Sequence, residues 1–182
     1  MRTKFYRLAQ LVVAGFLLAG CATTQEPASG RFHSTQRGFR EGCIFCQIAS
    51  GAIQKERVVY QDETVVAFMD RAPRNPGHVL IVPLDHASDI LDVPQSTLGH
   101  MAEVAQLIAK AIKSTDLRAE GFNLISNTGA AAGQSVFHLH LHVIPRFQGE
   151  PPHLGEKEGI RPDDELKEVA AKLRTKLNTY PK

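Results

Sequence analysis

Three histidines stand at alternate positions in His138-Leu139-His140-Leu141-His142. In an extended strand successive side chains point to opposite faces, so the three imidazoles share one surface and Leu139, Leu141 and Val143 share the other. Burying three titratable rings side by side is costly unless each has a partner, which argues against a purely structural role. The pattern suits either a metal site or phosphate chemistry. The residues just upstream favour phosphate, because Gly129 and Gly133 give the preceding loop a flexible backbone and Gln134 and Ser135 add an amide and a hydroxyl. An imidazole is largely neutral at pH 7 and forms covalent intermediates, so the central ring, His140, can attack phosphorus. Ser135, His138 and His142 stand ready to bond the leaving group or the transition-state oxygens.

Cysteines supply the second chemical signal. Cys43 and Cys46 form a C-x-x-C pair, which suits a redox disulfide or half of a zinc site, and the pair by itself leaves both open. The remaining cysteine, Cys21, closes Leu18-Ala19-Gly20-Cys21 after Arg2, Lys4, Arg7 and an uncharged stretch from Leu8 to Gly20. This order reads as a signal peptide over residues 1–21, its apolar part too short for a comfortable membrane span, and its end resembles the lipobox of bacterial lipoproteins. The expectation is a lipid anchor on Cys21 and a protein facing the periplasm or cell exterior. The alternative is an uncleaved anchor or a misplaced start, with a cytoplasmic protein.

These groups need a scaffold. A chain of 182 residues supports one domain with tails. Its 43% apolar and 22% charged residues are those of a globular protein, and its formal charge of +2 comes from lysines and arginines scattered singly. No basic run points to nucleic acid, so any phosphate handled belongs to a small molecule. Residues 22–41 are too poor in apolar side chains to fold and read as a flexible tether, leaving residues 42–182 as the domain. Val58–Tyr60, Thr64–Met69 and His78–Val82 read as three strands, the last two parted by a Pro- and Gly-containing break. Leu98, Met101, Ala105, Ile108 and Ile112 recur at helical spacing, with Ser96 as the expected N-cap. Strand character returns at Phe122–Ser126 and Phe137–Ile144, and Asp163–Leu177 carries a last amphipathic helix. The order β-β-β-α-β-β-α predicts an α+β fold, an antiparallel sheet with one main helix and a C-terminal helix.

At the alternating histidines the chain resembles the histidine-triad (HIT) superfamily, whose signature His-φ-His-φ-His-φ-φ (φ apolar) is matched by His138 through Ile144. The resemblance extends from Cys43 to Phe147 through Cys43-Ile44-Phe45-Cys46, Ala67-Phe68-Met69-Asp70, Asn75-Pro76-Gly77-His78, Ile81-Val82-Pro83 with His86, and Gly133-Gln134-Ser135-Val136-Phe137. It is similar to the Hint-type branch in bacterial form. That resemblance implies a HIT-like fold and a purine nucleotide substrate, with His140 as the nucleophile that becomes nucleotidylated. It implies that His142 and His78 line the phosphate site, that Ser135 helps to protonate the leaving group, and that Gln134 and Asn127 surround the phosphates. Asp70 would hold the ribose hydroxyls. The implied reaction is attack on the α-phosphate of a nucleoside phosphoramidate or dinucleoside polyphosphate, followed by hydrolysis of the nucleotidyl-histidine.

The bacterial form also implies a structural zinc held by Cys43, Cys46, His86 and His138, and a homodimer paired through the main helix and an adjoining strand. A Cys43–Cys46 disulfide is the competing arrangement in an oxidising compartment. A nucleotide sensor with negligible turnover and a metal-binding envelope lipoprotein are the rival functions. His33, His100 and His153 read as solvated side chains, and the apolar stripe of the main helix as core or dimer surface.

Overall fold

The computed structural model describes residues 38–151, 153 and 159–180. The predicted signal segment, Cys21 and most of the predicted tether lie outside the described residues. Among the described residues no helix is long and apolar enough to cross a membrane.

Five strands form one antiparallel sheet: β1 (Val58–Gln61), β2 (Val65–Met69), β3 (Val79–Pro83), β4 (Gly121–Ile125) and β5 (Leu141–Arg146). Their spatial order is β1-β2-β3-β5-β4. The fold is α+β, as predicted, with both faces of the sheet centre covered. Val65, Ala67, Met69, Val79 and Ile81 join a core with α2 (Gln95–Lys113) and α3 (Asp163–Leu177). The intervening Val66, Phe68, Leu80 and Val82 join a smaller core with α1 (Ile44–Ala49). Burial on both faces is why β2 and β3 read as unbroken apolar runs, where a half-solvated strand would alternate.

The apolar stripe of α2 packs inward, with Met101, Ala105, Ile108 and Ile112 fully buried and Leu98 at the margin of the same core. The helix begins one residue before the expected cap. Pro94, at φ −58° and ψ 140°, ends the extended approach and its carbonyl accepts the N–H of Leu98 at 3.0 Å, so Ser96 lies inside the first turn and caps nothing. In α3, Leu166, Ala170, Leu173 and Leu177 are buried, while Asp163, Asp164 and Glu165 open the helix and Arg174 and Lys176 close it. These charges oppose the partial charges of the helix ends.

Two departures bear on the site. Spacing predicts a strand over Phe137–Ile144, but the ladder with β3 begins only at Leu141, opposite Ile81. Upstream of it the Leu139 N–H bonds the carbonyl of Ala87 at 2.7 Å, in the irregular chain beyond β3. The alternation survives without the ladder: Leu139 and Val143 enter the core beneath α2, whereas His138 and His140 contact Phe45 of α1. The second departure is at the start of the domain. Gly38 N–H bonds Asp85 at 3.1 Å and Gly38 carbonyl accepts the N–H of His86 at 2.7 Å, so residues assigned to the tether by composition are bonded to the domain.

Candidate active site

A cleft of about 230 Å³ opens on the α1 side of the sheet. His140, His142 and Ser135 line it together with Asp70, and Phe45, Phe68, Ile44 and Ile48 give it apolar walls. Two loops and one helix build it. The turn into β3 needs Gly77, which sits at φ +85° and whose added Cβ would come within 2.8 Å of Leu117 Cδ1. That turn delivers His78 to the sheet, fully buried behind the cleft.

Hydrogen bonds fix the protons on the imidazoles, assigned here from their partners. His140 Nδ1 lies 2.7 Å from the carbonyl of His138, which can only accept, so Nδ1 carries the proton and Nε2 carries the lone pair. The Arg74 N–H donates to His78 Nδ1 at 3.1 Å. The Asp70 carboxylate lies 3.4 Å from the same nitrogen and would call for a proton there. The backbone bond decides, being shorter and having a donor whose hydrogen cannot move. His78 therefore holds its proton on Nε2 and donates it to His142 Nδ1 at 2.9 Å, which leaves the His142 proton on Nε2. The cleft thus contains one ring poised as a nucleophile and, 4.9 Å from it between centroids, one poised as a donor.

His138 faces a different set of groups. Its Nδ1 lies 3.3 Å from Cys43 Sγ, 3.4 Å from Cys46 Sγ and 3.3 Å from His86 Nδ1, and Cys46 Sγ lies 3.4 Å from His86 Nδ1. The four ligand atoms all fall within 4.8 Å of one another, and both thiols are unpaired. Tetrahedral zinc with the usual bond lengths places nitrogen ligands about 3.3 Å apart and nitrogen and sulfur about 3.6 Å apart, so the cluster has the size of a Cys2His2 site. Its surroundings fit as well. His138 Nε2–H donates to the Pro83 carbonyl at 3.1 Å, which turns the Nδ1 lone pair toward the sulfurs, and the Arg40 N–H donates to Cys46 Sγ at 3.4 Å. Burial drives the His138 pKa down to about 4, and burial followed by the Arg40 charge lowers that of His86, so both rings are neutral, the form that a metal would need. Burial raises the Cys46 thiol, against the Arg40 N–H that lowers it. One adjustment is required. Arg40 Nη1 donates toward His86 Nε2 at 3.4 Å, and this exposed side chain must swing away when His86 offers Nδ1 to a metal.

Asp70, His78 and His142 also cluster within 4.8 Å. The 2.9 Å between the two ring nitrogens is a hydrogen bond and is shorter than the ligand spacing given above, so the two rings are joined to each other and not spread around a metal.

Several expected residues lie elsewhere. Gln134, expected beside the phosphates, does not line the cleft. Its Oε1 accepts the Gly129 N–H at 2.8 Å and its Nε2 donates to the carbonyls of Ser88 at 2.7 Å and Val136 at 3.1 Å, so the whole amide holds the loop that carries Ser135. Asn127 is likewise outside the cleft lining, its Nδ2 being 3.8 Å from where a Cβ on Gly133 would stand. His78 lines nothing directly and acts on His142. His100 is half-buried and paired, with Nε2 2.6 Å from Asp62 and Nδ1 3.2 Å from Glu103. The side chains that sequence reading left without a role are Phe45, which touches both His138 and His140, and Arg57 and Arg71, which line the cleft. An arginine set directly against the apolar run Val58-Val59-Tyr60 was the available signal for Arg57.

Comparison with known proteins agrees with this arrangement. The HIT domain family matches residues 52–149. An uncharacterised HIT-like protein of Methanocaldococcus jannaschii is 40% identical over 129 residues, covering 70% of this chain and 98% of the relative. An adenylylsulfatase of Arabidopsis thaliana is 33% identical over 143 residues, covering 76% of this chain and 71% of its own. Among solved structures, a zinc-bound histidine triad family protein from Mycobacterium smegmatis superposes with a TM-score of 0.67 at 38% identity, covering 76% of this chain and 94% of that one. A hypothetical histidine triad nucleotide-binding protein from Sulfolobus tokodaii gives 0.67 at 30% identity, covering 75% and 93%. With the family's domain spanning more than half of its length and the histidine motif at the mouth of the cleft, the chain belongs to the histidine-triad family.

Proposed function

We propose that the protein is a nucleotide hydrolase or transferase that attacks the α-phosphate of nucleoside phosphoramidates or dinucleoside polyphosphates. The observation that carries this reading is the 2.7 Å bond from His140 Nδ1 to the His138 carbonyl, which fixes the nucleophilic tautomer. Nε2 forms a bond to phosphorus as the bond to the leaving group breaks, and Ser135, exposed at the cleft, passes a proton to the leaving group and regains one from the water that attacks in the second step. His142 Nε2–H stabilises charge on the phosphoryl oxygens. The ring becomes cationic on attack, and the His138 carbonyl accepts its Nδ1–H throughout. Water then attacks the nucleotidyl-histidine, which releases a nucleoside monophosphate and restores His140. Asp70, with one carboxylate oxygen held by the Ala72 N–H at 3.0 Å, would bind ribose hydroxyls. The names of the Arabidopsis and Sulfolobus relatives support a nucleotide substrate.

Cys43, Cys46, His86 and His138 would hold zinc, which closes all four positions and so serves structure. The zinc-bound relative and the two free thiols favour it over a disulfide. Export with lipid on Cys21 remains part of the reading, and so does pairing of two copies, for which β4, an edge strand with Leu124 52% exposed, is available. Intact mass of the membrane fraction checks the lipid and sedimentation checks the pairing.

The deciding experiment incubates the protein and His140→Ala with adenosine phosphoramidate. Release of AMP and a trapped adenylyl adduct on His140 are expected in wild type only. Binding with neither product nor adduct would reduce the protein to a sensor and defeat the enzymatic reading.

A further inference from the structure

Arg57 is the most unusual charged residue of the domain. Only 3% of it is exposed, and its Nε has no hydrogen-bond partner. A buried guanidinium nitrogen without a hydrogen bond is costly, and such a donor beside a cleft is a group awaiting an acceptor. Arg57 lines the same cleft as His140. It is presented there by Gln54, a non-glycine residue held at φ 58°, whose carbonyl accepts the Arg57 N–H at 3.0 Å. Such a backbone conformation persists only where its surroundings enforce it.

The cleft has an order. His140 packs on Phe45 at 5.3 Å between centroids, Phe45 packs on Phe68 at 5.5 Å, and Phe68 stands opposite Val58 in the sheet. Arg57 precedes Val58 and lines the same cleft, so its side chain borders an apolar-walled slot suited to a flat ring. The charge acting on it is mixed: Asp163, Glu56 and Asp70 oppose Arg71. Glu56 is itself paired with Lys167 at 3.5 Å, so the surroundings are close to charge balance and suit a neutral group that only accepts.

We propose that Arg57 makes the protein select 6-oxopurine nucleotides, those of guanine or hypoxanthine, over adenine nucleotides. This rests on the nucleotide reading above. The O6 and N7 of a 6-oxopurine accept two bonds from one guanidinium, whereas adenine sets an amino donor in place of O6. The pair discriminates by roughly 5- to 150-fold.

The test is calorimetric binding of GMP, IMP and AMP to the full protein, to Arg57→Met and to Arg57→Lys. IMP and AMP differ at the 6-position, so their ratio isolates the contact. In wild type IMP and GMP should bind about tenfold or more tightly than AMP. In Arg57→Met the ratio should fall to about one, and Arg57→Lys, which keeps the charge and loses the fork, should recover only part of it. Thermal melts verify that each variant is folded, and Met, of similar length and without the buried charge, preserves the packing. Equal binding of IMP and AMP by wild type, or an unchanged ratio in Arg57→Met, overturns the assignment while leaving the enzymatic reading intact. Adenosine 3′,5′-bisphosphate binding more tightly than IMP, with the advantage lost in Arg57→Met, gives the fork to an anion and also overturns it. Binding of none of these nucleotides sinks the underlying reading instead.

Discussion

The three rings of one short segment divide into two environments. His138 turns its Nδ1 to two thiols and a second imidazole, whereas His140 and His142 turn toward a cleft. In each case the hydrogen bond on the other side of the ring decides the role. The Pro83 carbonyl accepts the Nε2–H of His138 and leaves the Nδ1 lone pair facing the thiols, and the His138 carbonyl accepts the Nδ1–H of His140 and leaves the Nε2 lone pair to the cleft. One group of ligands is closed and the other is open. Residues two apart can thus serve structure and chemistry because their backbone carbonyl partners differ, although their side chains are identical.

The contrast can be broken at either end. His140→Ala should abolish turnover, by at least roughly 10³-fold in kcat, while metal content and melting stay close to wild type. Elemental analysis and steady-state kinetics measure both, and a variant retaining turnover would reassign the nucleophile. Cys46→Ser should do the reverse, removing the metal and several kcal/mol of stability, because binding energy at such a site is folding energy. Equal melting of the wild type with and without chelator would remove zinc from the account. His78→Ala leaves the nucleophile alone but frees His142 to reorient, and an effect of about 10²-fold or less on kcat is expected from misplacement. A loss as large as that of His140→Ala would mean that His78 itself touches substrate.

The smallest effect is a control outside both groups. Asp62 is drawn down to about 2 from its ordinary 3.8: burial pushes it up and is outweighed by bonds from His100, from the Val65 and Thr64 N–H groups and from Tyr60. Its contribution is complete above 3.8 and is lost as pH falls toward 2. His100 is raised above 6.5 by the bond to Asp62, so its contribution is complete below 6.5 and is lost as pH rises through the higher folded value. The pair therefore stabilises most between about 4 and 6.5. Both side chains are partly solvated, and screening keeps the effect to about 1 kcal/mol or less. Denaturant melts of Asp62→Asn across that range should show a flattened profile with activity untouched.

The histidine motif and the C-x-x-C pair were legible because their geometry is local: alternation in extended chain fixes the shared face even where no ladder forms. The antiparallel α+β layout followed from periodicity, and all five strands fall within a few residues of their predicted places. What was hidden depends on distant partners. Where β5 begins is set by the end of β3, and the fate of Gln134 is set by the carbonyl of Ser88, 46 residues away. His100 looked solvated because Asp62 is 38 residues off in sequence. For Arg57 the only local sign is its place against the apolar run Val58-Val59-Tyr60, which does not say which way the side chain turns, and the short α1 has too few residues to show a period.

The span of the thiol–imidazole cluster also has a consequence for biosynthesis. Cys43 and His138 are 95 residues apart, so a chain emerging from the ribosome carries its two sulfurs long before their nitrogen partners exist. Strands β1 to β3 and helix α2 can assemble first, with α1 docked on Phe68 and Gly38 bonded to Asp85 and His86, but the cluster lacks one of its two rings until residue 138 has been made. Nucleotide capacity is therefore acquired late in translation, in the same step that completes the thiol–imidazole cluster.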